Sequence, residues 1–219
     1  MGVSFIDSIL LNMHKKNIVF AGKPVTEAKK ALILLHGRGA DSSDILSFAS
    51  YLDVKDYLLV APEATGNTWY PFSFMMPPAQ NEPWLSSALS LIKEVVEDLT
   101  KAGFSSSNIY FAGFSQGACL TLEFVTRNAK RYGGIAAFTG GLIGDKIYSE
   151  NYHGDFEETH VFIGTSNPDP HVPVDRVHAT TGVLRNMNAV VTEKVYNNMG
   201  HTINQDEINQ ANSFIFNHA

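Results

Sequence analysis

The chain has 219 residues, 44% hydrophobic and 17% charged, and its 16 Lys plus Arg against 22 Asp plus Glu give a net charge of −6. That length fits one domain, residues 1–219, around a single core, and the composition excludes a disordered chain or a coiled coil. The charge argues against nucleic acid as a partner, since such binders carry a basic footprint, and the one cysteine, Cys119, excludes an intrachain disulfide and a multi-cysteine metal cluster.

At the amino end, residues 4–13 are fairly apolar, but Asp7 interrupts them and no basic segment precedes them, so they make a poor signal peptide. Gly2 follows Met1, yet Ile6 stands where a myristoylation signal wants Ser or Thr. No run of about 18 apolar residues exists, so no membrane span and a cytoplasmic location are expected. Residues 18–20, before Gly22, offer an edge strand.

Residues 31–35 form the first fully apolar run, closed by His36-Gly37-Arg38-Gly39. Similar runs stand at 57–61, 108–112, 134–138 and 160–164, and a more alternating one at 189–196. Runs of about five residues bounded by Gly or Pro read as strands buried on both faces, the habit of parallel sheets. Between them, 42–52, 84–102, 116–130, 174–187 and 204–217 read as helices. In 84–102, Leu85, Ala88, Leu89, Ile92, Val95, Val96 and Leu99 recur at three and four, and Gly103 ends the pattern. This alternation predicts an α/β fold, with a mostly parallel central sheet flanked by helices on both faces.

Residues 65–83 break the pattern, with four prolines, four aromatics and two methionines in nineteen residues. They fit neither helix nor strand, and long loops in compact domains are commonly functional. Trp69, Tyr70, Phe72, Phe74, Met75 and Met76 are candidate walls of a substrate pocket. A surface loop packing its aromatics on the core is the alternative.

Gly113-Phe114-Ser115-Gln116-Gly117 follows a strand and opens a helix, the context of a G-x-S-x-G nucleophile elbow. A serine on so sharp a turn needs small residues two positions away on each side. Its hydroxyl is a weak nucleophile without a base held by an acid, and with this motif the order is serine, acid, histidine. His201 lies between the last strand and the last helix and suits the base. His153, His160, His171, His178 and His218 suit it less, and His36 precedes the serine. Asp169 is the sole carboxylate in the loop after the 160–164 strand. Asp175, in the first turn of the next helix, is its main rival, and Asp145 would serve in a migrated-acid arrangement. The backbone N–H groups of Gln116 and Arg38 are the candidate oxyanion donors. The Arg38 side chain is either a solvated charge or a binder of acidic substrates. The eight histidines lack the i, i+4 spacing of a helical zinc site, so neither metal nor cofactor is expected, and Cys119 reads as core packing.

With these residues in hand, the chain resembles the phospholipase/carboxylesterase family of α/β-hydrolases, the group that includes acyl-protein thioesterases. The resemblance runs from Ala31 to the end, through L-L-H-G-R-G at 34–39, G-F-S-Q-G-A at 113–118, D-P-H-V-P at 169–173 and M-G-H at 199–201. It implies Ser115, Asp169 and His201 as nucleophile, acid and base, with oxyanion donors at Arg38 and Gln116. The W-Y-P-F-S-F stretch at 69–74 is similar to bacterial members, which are mostly carboxylesterases of broad specificity. Two places depart from common family patterns: Gly39 is followed by Ala40 before Asp41, and Ile163-Gly164-Thr165-Ser166-Asn167 precedes the acid. The expected activity is a serine carboxylesterase on small-molecule esters, with a homodimer as one option for its assembly. The alternatives are a lysophospholipase or acyl-protein thioesterase on long acyl chains, and, in another class, a binding module on a hydrolase fold.

Overall fold

The computed structural model describes residues 13–217. Residues 2–12, read above for targeting signals, and His218 lie outside the described residues. Among the described residues, seven strands build one sheet: β1 (Ile18–Gly22), β2 (Lys30–Leu35), β3 (Tyr57–Pro62), β4 (Ile109–Phe114), β5 (Gly134–Phe138), β6 (His160–Asn167) and β7 (Val190–Asn197). Their order is β1-β3-β2-β4-β5-β6-β7. Only β1 runs antiparallel, against β3; every other pair is parallel.

Side chains alternate between the faces of each strand, so a run that is apolar throughout must be covered twice. Leu32 and Leu34 pack with Ile45 and Ala49 of α1 (Ser42–Ala49), and with Ile208 and Ala211 of α6 (Gln205–Ala211). Ile33 and Leu35 belong to the opposite core. It takes Leu85 and Ile92 from α3 (Trp84–Lys101), Leu120 and Phe124 from α4 (Gln116–Arg127), and Val177 and Leu184 from α5 (Val174–Asn186). Residues 31–35 are wholly buried as a result.

Local chemistry sets the element ends. Asp41 accepts from the Ser43 and Asp44 N–H groups and closes a capping box on α1. Gly103, at φ +99°, follows the end of α3. The helix expected over 116–130 stops at Arg127, where the Asn128 side-chain amide donates to the Phe124 carbonyl. The helix expected over 204–217 stops at Ala211 and continues as a π turn, Asn212–Phe216. There the Asn212 side chain bonds the Asp53 N–H and the Tyr51 carbonyl, 2.8 and 3.1 Å away. The 65–83 stretch holds a 3₁₀ turn at Thr65–Asn67 and one helical turn, α2 (Pro78–Asn81), so it is not structureless. Proline at the first helical position explains the latter.

Register decides what meets at the sheet's carboxyl edge. Phe114 is paired with Phe138, and Phe138 with Gly164. β6 and β7 run three residues further, to Asn167 paired with Asn197. The loops after β4, β6 and β7 therefore open on one edge, where parallel sheets gather their sites.

Candidate active site

Ser115 stands alone between β4 and α4, at φ 54° and ψ −117°. Such a backbone is uncommon for a residue with a β-carbon and persists only where its surroundings fix it. They do: the Ser115 N–H donates to the Phe138 carbonyl at 2.9 Å, and its carbonyl accepts from the Cys119 N–H at 3.0 Å. The flanking glycines are a steric requirement. A β-carbon at Gly113 would lie 2.5 Å from the Gly117 carbonyl oxygen, and one at Gly117 would collide with the Leu35 carbonyl oxygen.

The loop after β7 turns through Asn198 and Gly200, at φ +54° and +80°. The Gly200 N–H donates to Ser166 Oγ at 3.0 Å, tying this loop to β6. His201 is thereby held with Nε2 2.8 Å from Ser115 Oγ and Nδ1 2.8 Å from Asp169 Oδ2. The other carboxylate oxygen of Asp169 accepts from the His171 and Val172 N–H groups, each at 2.8 Å. Burial opposes the charge of Asp169, but these N–H groups and the His201 imidazole together hold its pKa below the ordinary carboxylate value. Asp175 lies exposed in the first turn of α5. Asp145 bonds the Tyr148 hydroxyl and His178 pairs with Glu193, so neither joins the site.

The Gln116 and Arg38 backbone N–H groups border the same cleft and have no protein acceptor among the described residues. Gln116 opens α4, where the first N–H groups of a helix are left free. His36 supports the Arg38 turn from beneath. Its Nδ1–H donates to the Gly37 carbonyl at 2.8 Å, its Nε2 accepts from the Ala64 N–H at 3.1 Å, and burial lowers its pKa. Asp41 caps α1 directly behind this turn, so the Gly39-Ala40-Asp41 spacing ends in a helix anchor.

Arg38 and Gln116 also use their side chains. The Arg38 guanidinium donates to the carbonyls of Tyr70, Pro71 and Phe72 at 2.8–2.9 Å. The side chain is exposed at the cleft, yet these three bonds fix it against the 70–72 backbone. Gln116 Oε1 accepts from the Trp69 N–H and Nε2 donates to the Tyr70 carbonyl, at 2.9 and 2.8 Å. The 68–72 stretch is thus clamped by the two residues that border the serine.

The cleft encloses about 510 Å³. Tyr70, Phe72 and Phe74 line it, together with Cys119 and His171, which the sequence does not single out as lining residues. Burial pushes the Cys119 thiol up to about 12. Trp69, Met75 and Met76 correct the expectation, since none of them lines this cleft. Trp69 is fully buried behind the loop, its indole N–H donating to the His36 carbonyl at 2.9 Å and its ring lying against His36 and His14. Met75 packs on the core, and the Met76 N–H donates to the Ser73 carbonyl at 3.1 Å. His14, unnoticed in the sequence, is buried and ties the amino end to this loop through the Trp69 carbonyl and the Thr65 N–H.

A parallel sheet with a serine elbow on a central strand and a histidine after the last strand defines an α/β-hydrolase. A family model described as phospholipase/carboxylesterase matches residues 16–219. The chain belongs to that family and is a serine hydrolase acting on ester bonds. The crystal structure of a phospholipase/carboxylesterase from Dyadobacter fermentans DSM 18053 is similar, with a TM-score of 0.92 and 53% identity over 94% of this chain and 99% of that one. Acyl-protein thioesterase 1 of Saccharomyces cerevisiae is 27% identical over 217 residues, 87% of this chain and 93% of the yeast protein. A probable carboxylesterase SOBER1-like of Arabidopsis thaliana is 25% identical over 136 residues, 62% of this chain; the match spans about half, 52%, of the plant protein. Among the described residues, no helix is long and apolar enough to cross a membrane.

Proposed function

We propose that the chain is a carboxylesterase that works through an acyl-enzyme on Ser115. The observation that carries this reading is the hydrogen-bonded line from Ser115 Oγ through His201 to Asp169, with both links at 2.8 Å. His201 takes the serine proton as Oγ attacks the ester carbon, then returns it to the leaving alcohol. Asp169 keeps the proton of neutral His201 on Nδ1, leaves Nε2 free to accept, and stabilises the imidazolium that forms. The Gln116 and Arg38 N–H groups receive the negative oxygen; a donor in this role is worth about 100- to 1000-fold in turnover. Water then enters by the same route in reverse and releases the acid.

Tyr70, Phe72 and Phe74 form the acyl wall in this reading, and the 219 residues act as one catalytic domain on small esters without a cofactor. A thioesterase on longer acyl chains is the second reading, favoured by the yeast relative's name. Nitrophenyl esters of two to sixteen carbons, assayed beside the matching thioesters, test both. Highest kcat/KM on short oxygen esters is expected. Preference for long-chain thioesters would replace the first reading by the second, and no turnover of either series would remove both.

A further inference from the structure

The turn that holds the acid also sets a second imidazole beside the first. The two N–H bonds accepted by Asp169 Oδ1 close residues 169–172 into a turn. Its His171 ring then abuts His201, with centroids 4.8 Å apart and planes at 81°. Pro170, His171 and Val172 line the cleft next to Ser115 and His201. Pro170 and Val172 offer only carbon from their side chains. His171 is exposed, and neither of its ring nitrogens hydrogen-bonds to protein among the described residues.

Which part of a substrate meets this wall follows from the geometry of the attacked carbon, and here the inference rests on the carboxylesterase reading. Of the four groups on the tetrahedral centre, one is Ser115 Oγ and one is the oxyanion, directed at the Arg38 and Gln116 N–H groups. The leaving oxygen must face His201 Nε2, which protonates it. The acyl chain takes the remaining direction, along Tyr70, Phe72 and Phe74. The leaving alcohol therefore extends beside His201, over residues 170–172.

Charge and hydrogen bonding decide what kind of alcohol fits. Among the described residues, Arg38 is the one Lys or Arg lining the cleft, and its guanidinium is held on the opposite wall by the Tyr70, Pro71 and Phe72 carbonyls. Both oxygens of Asp169 are engaged as well. An anionic leaving group would meet no Lys or Arg along residues 170–172, and a hydrocarbon one would shield the imidazole nitrogens from water without replacing those bonds. A hydroxyl can both donate to and accept from a neutral imidazole. We propose that His171 is a specificity residue selecting esters whose alcohol carries a second hydroxyl close to the ester oxygen, as in glycol and glycerol monoesters.

The test compares the 2-hydroxyethyl, ethyl and carboxymethyl esters of one short acid, on the full chain and on His171→Phe and His171→Gln. Phe keeps an aromatic ring against His201; Gln keeps a donor and an acceptor. The unaltered protein should favour 2-hydroxyethyl over ethyl ester by about tenfold in kcat/KM, the yield of one well-placed hydrogen bond. That ratio should fall to near one in His171→Phe and be partly kept in His171→Gln. A ratio near one in the unaltered protein, or one that survives in His171→Phe because both esters slow together, overturns the proposal. Preference for the carboxymethyl ester overturns it in favour of an anion subsite. No turnover of any of the three esters by the unaltered protein is a separate outcome: it removes the carboxylesterase reading and this inference with it.

Discussion

Two aspartates six residues apart stand in different surroundings. Asp169 is buried against His201, whereas Asp175 is an exposed first-turn residue of α5. Asp169→Asn keeps the shape but invites the wrong imidazole tautomer, at a cost of about 10⁴ in turnover in the serine-protease template. Asp175→Asn removes a helix-terminal charge worth about 0.3–1 kcal/mol of stability. Steady-state rates and melting curves of the two variants should separate them; exchanged phenotypes would contradict the assignment. Ser115 is legible in the sequence because its neighbours must be glycines, and Asp169 because no other carboxylate shares its loop. The side-chain roles of Arg38 and Gln116 are not legible, since their partners lie more than thirty positions away. Aromatic density marks the 69–76 stretch as unusual, but composition carries no direction. Hence Trp69, which turns inward, and Phe74, which lines the cleft, look alike before folding.

Elements show the same division between local and distant causes. The β4–α4 junction depends on bare backbone contact, so Gly117→Ala should cost at least about 2 kcal/mol, as forced overpacking does. Melting by calorimetry checks this, and an unchanged melting temperature would mean that α4 can back away from β2. In α6, Glu207 is fully buried; Oε2 accepts from the Asn204 N–H, while Oε1 has no protein partner among the described residues. Burial raises its pKa from 4.5 to about 7. The folded chain thus keeps a proton that the unfolded chain releases near 4.5. Stability from this group is full below that value and is lost as pH rises through about 7, a change of up to about 3 kcal/mol. Melting temperature should therefore decline between pH 5 and 8, and Glu207→Gln should flatten the decline; an equal slope in the variant would contradict this. The period of three and four gives α3 almost to the residue. The π turn after α6 is hidden, because it answers to Asn212 reaching residues 51 and 53 far back in the chain.

Across the whole molecule, strand–helix alternation is enough to give the α/β layers, because a strand apolar at every position can only be covered on both faces. Strand order is not in the pattern; the placement of β1 beside β3, antiparallel, comes from pairing that no local run encodes. Among the described residues, no three His, Cys, Asp or Glu side chains converge so as to hold a metal ion. Turnover is accordingly expected to be indifferent to a chelator, and activity lost in chelator and restored by zinc would contradict that. The central claim is that the sheet edge turns Ser115 into a nucleophile, and covalent trapping tests it most directly. A fluorophosphonate should add one adduct per chain by intact mass, mapped to the peptide containing Ser115 and absent from a folded Ser115→Ala variant. An adduct that persists in that variant, or a wild-type chain that takes none, would contradict the account.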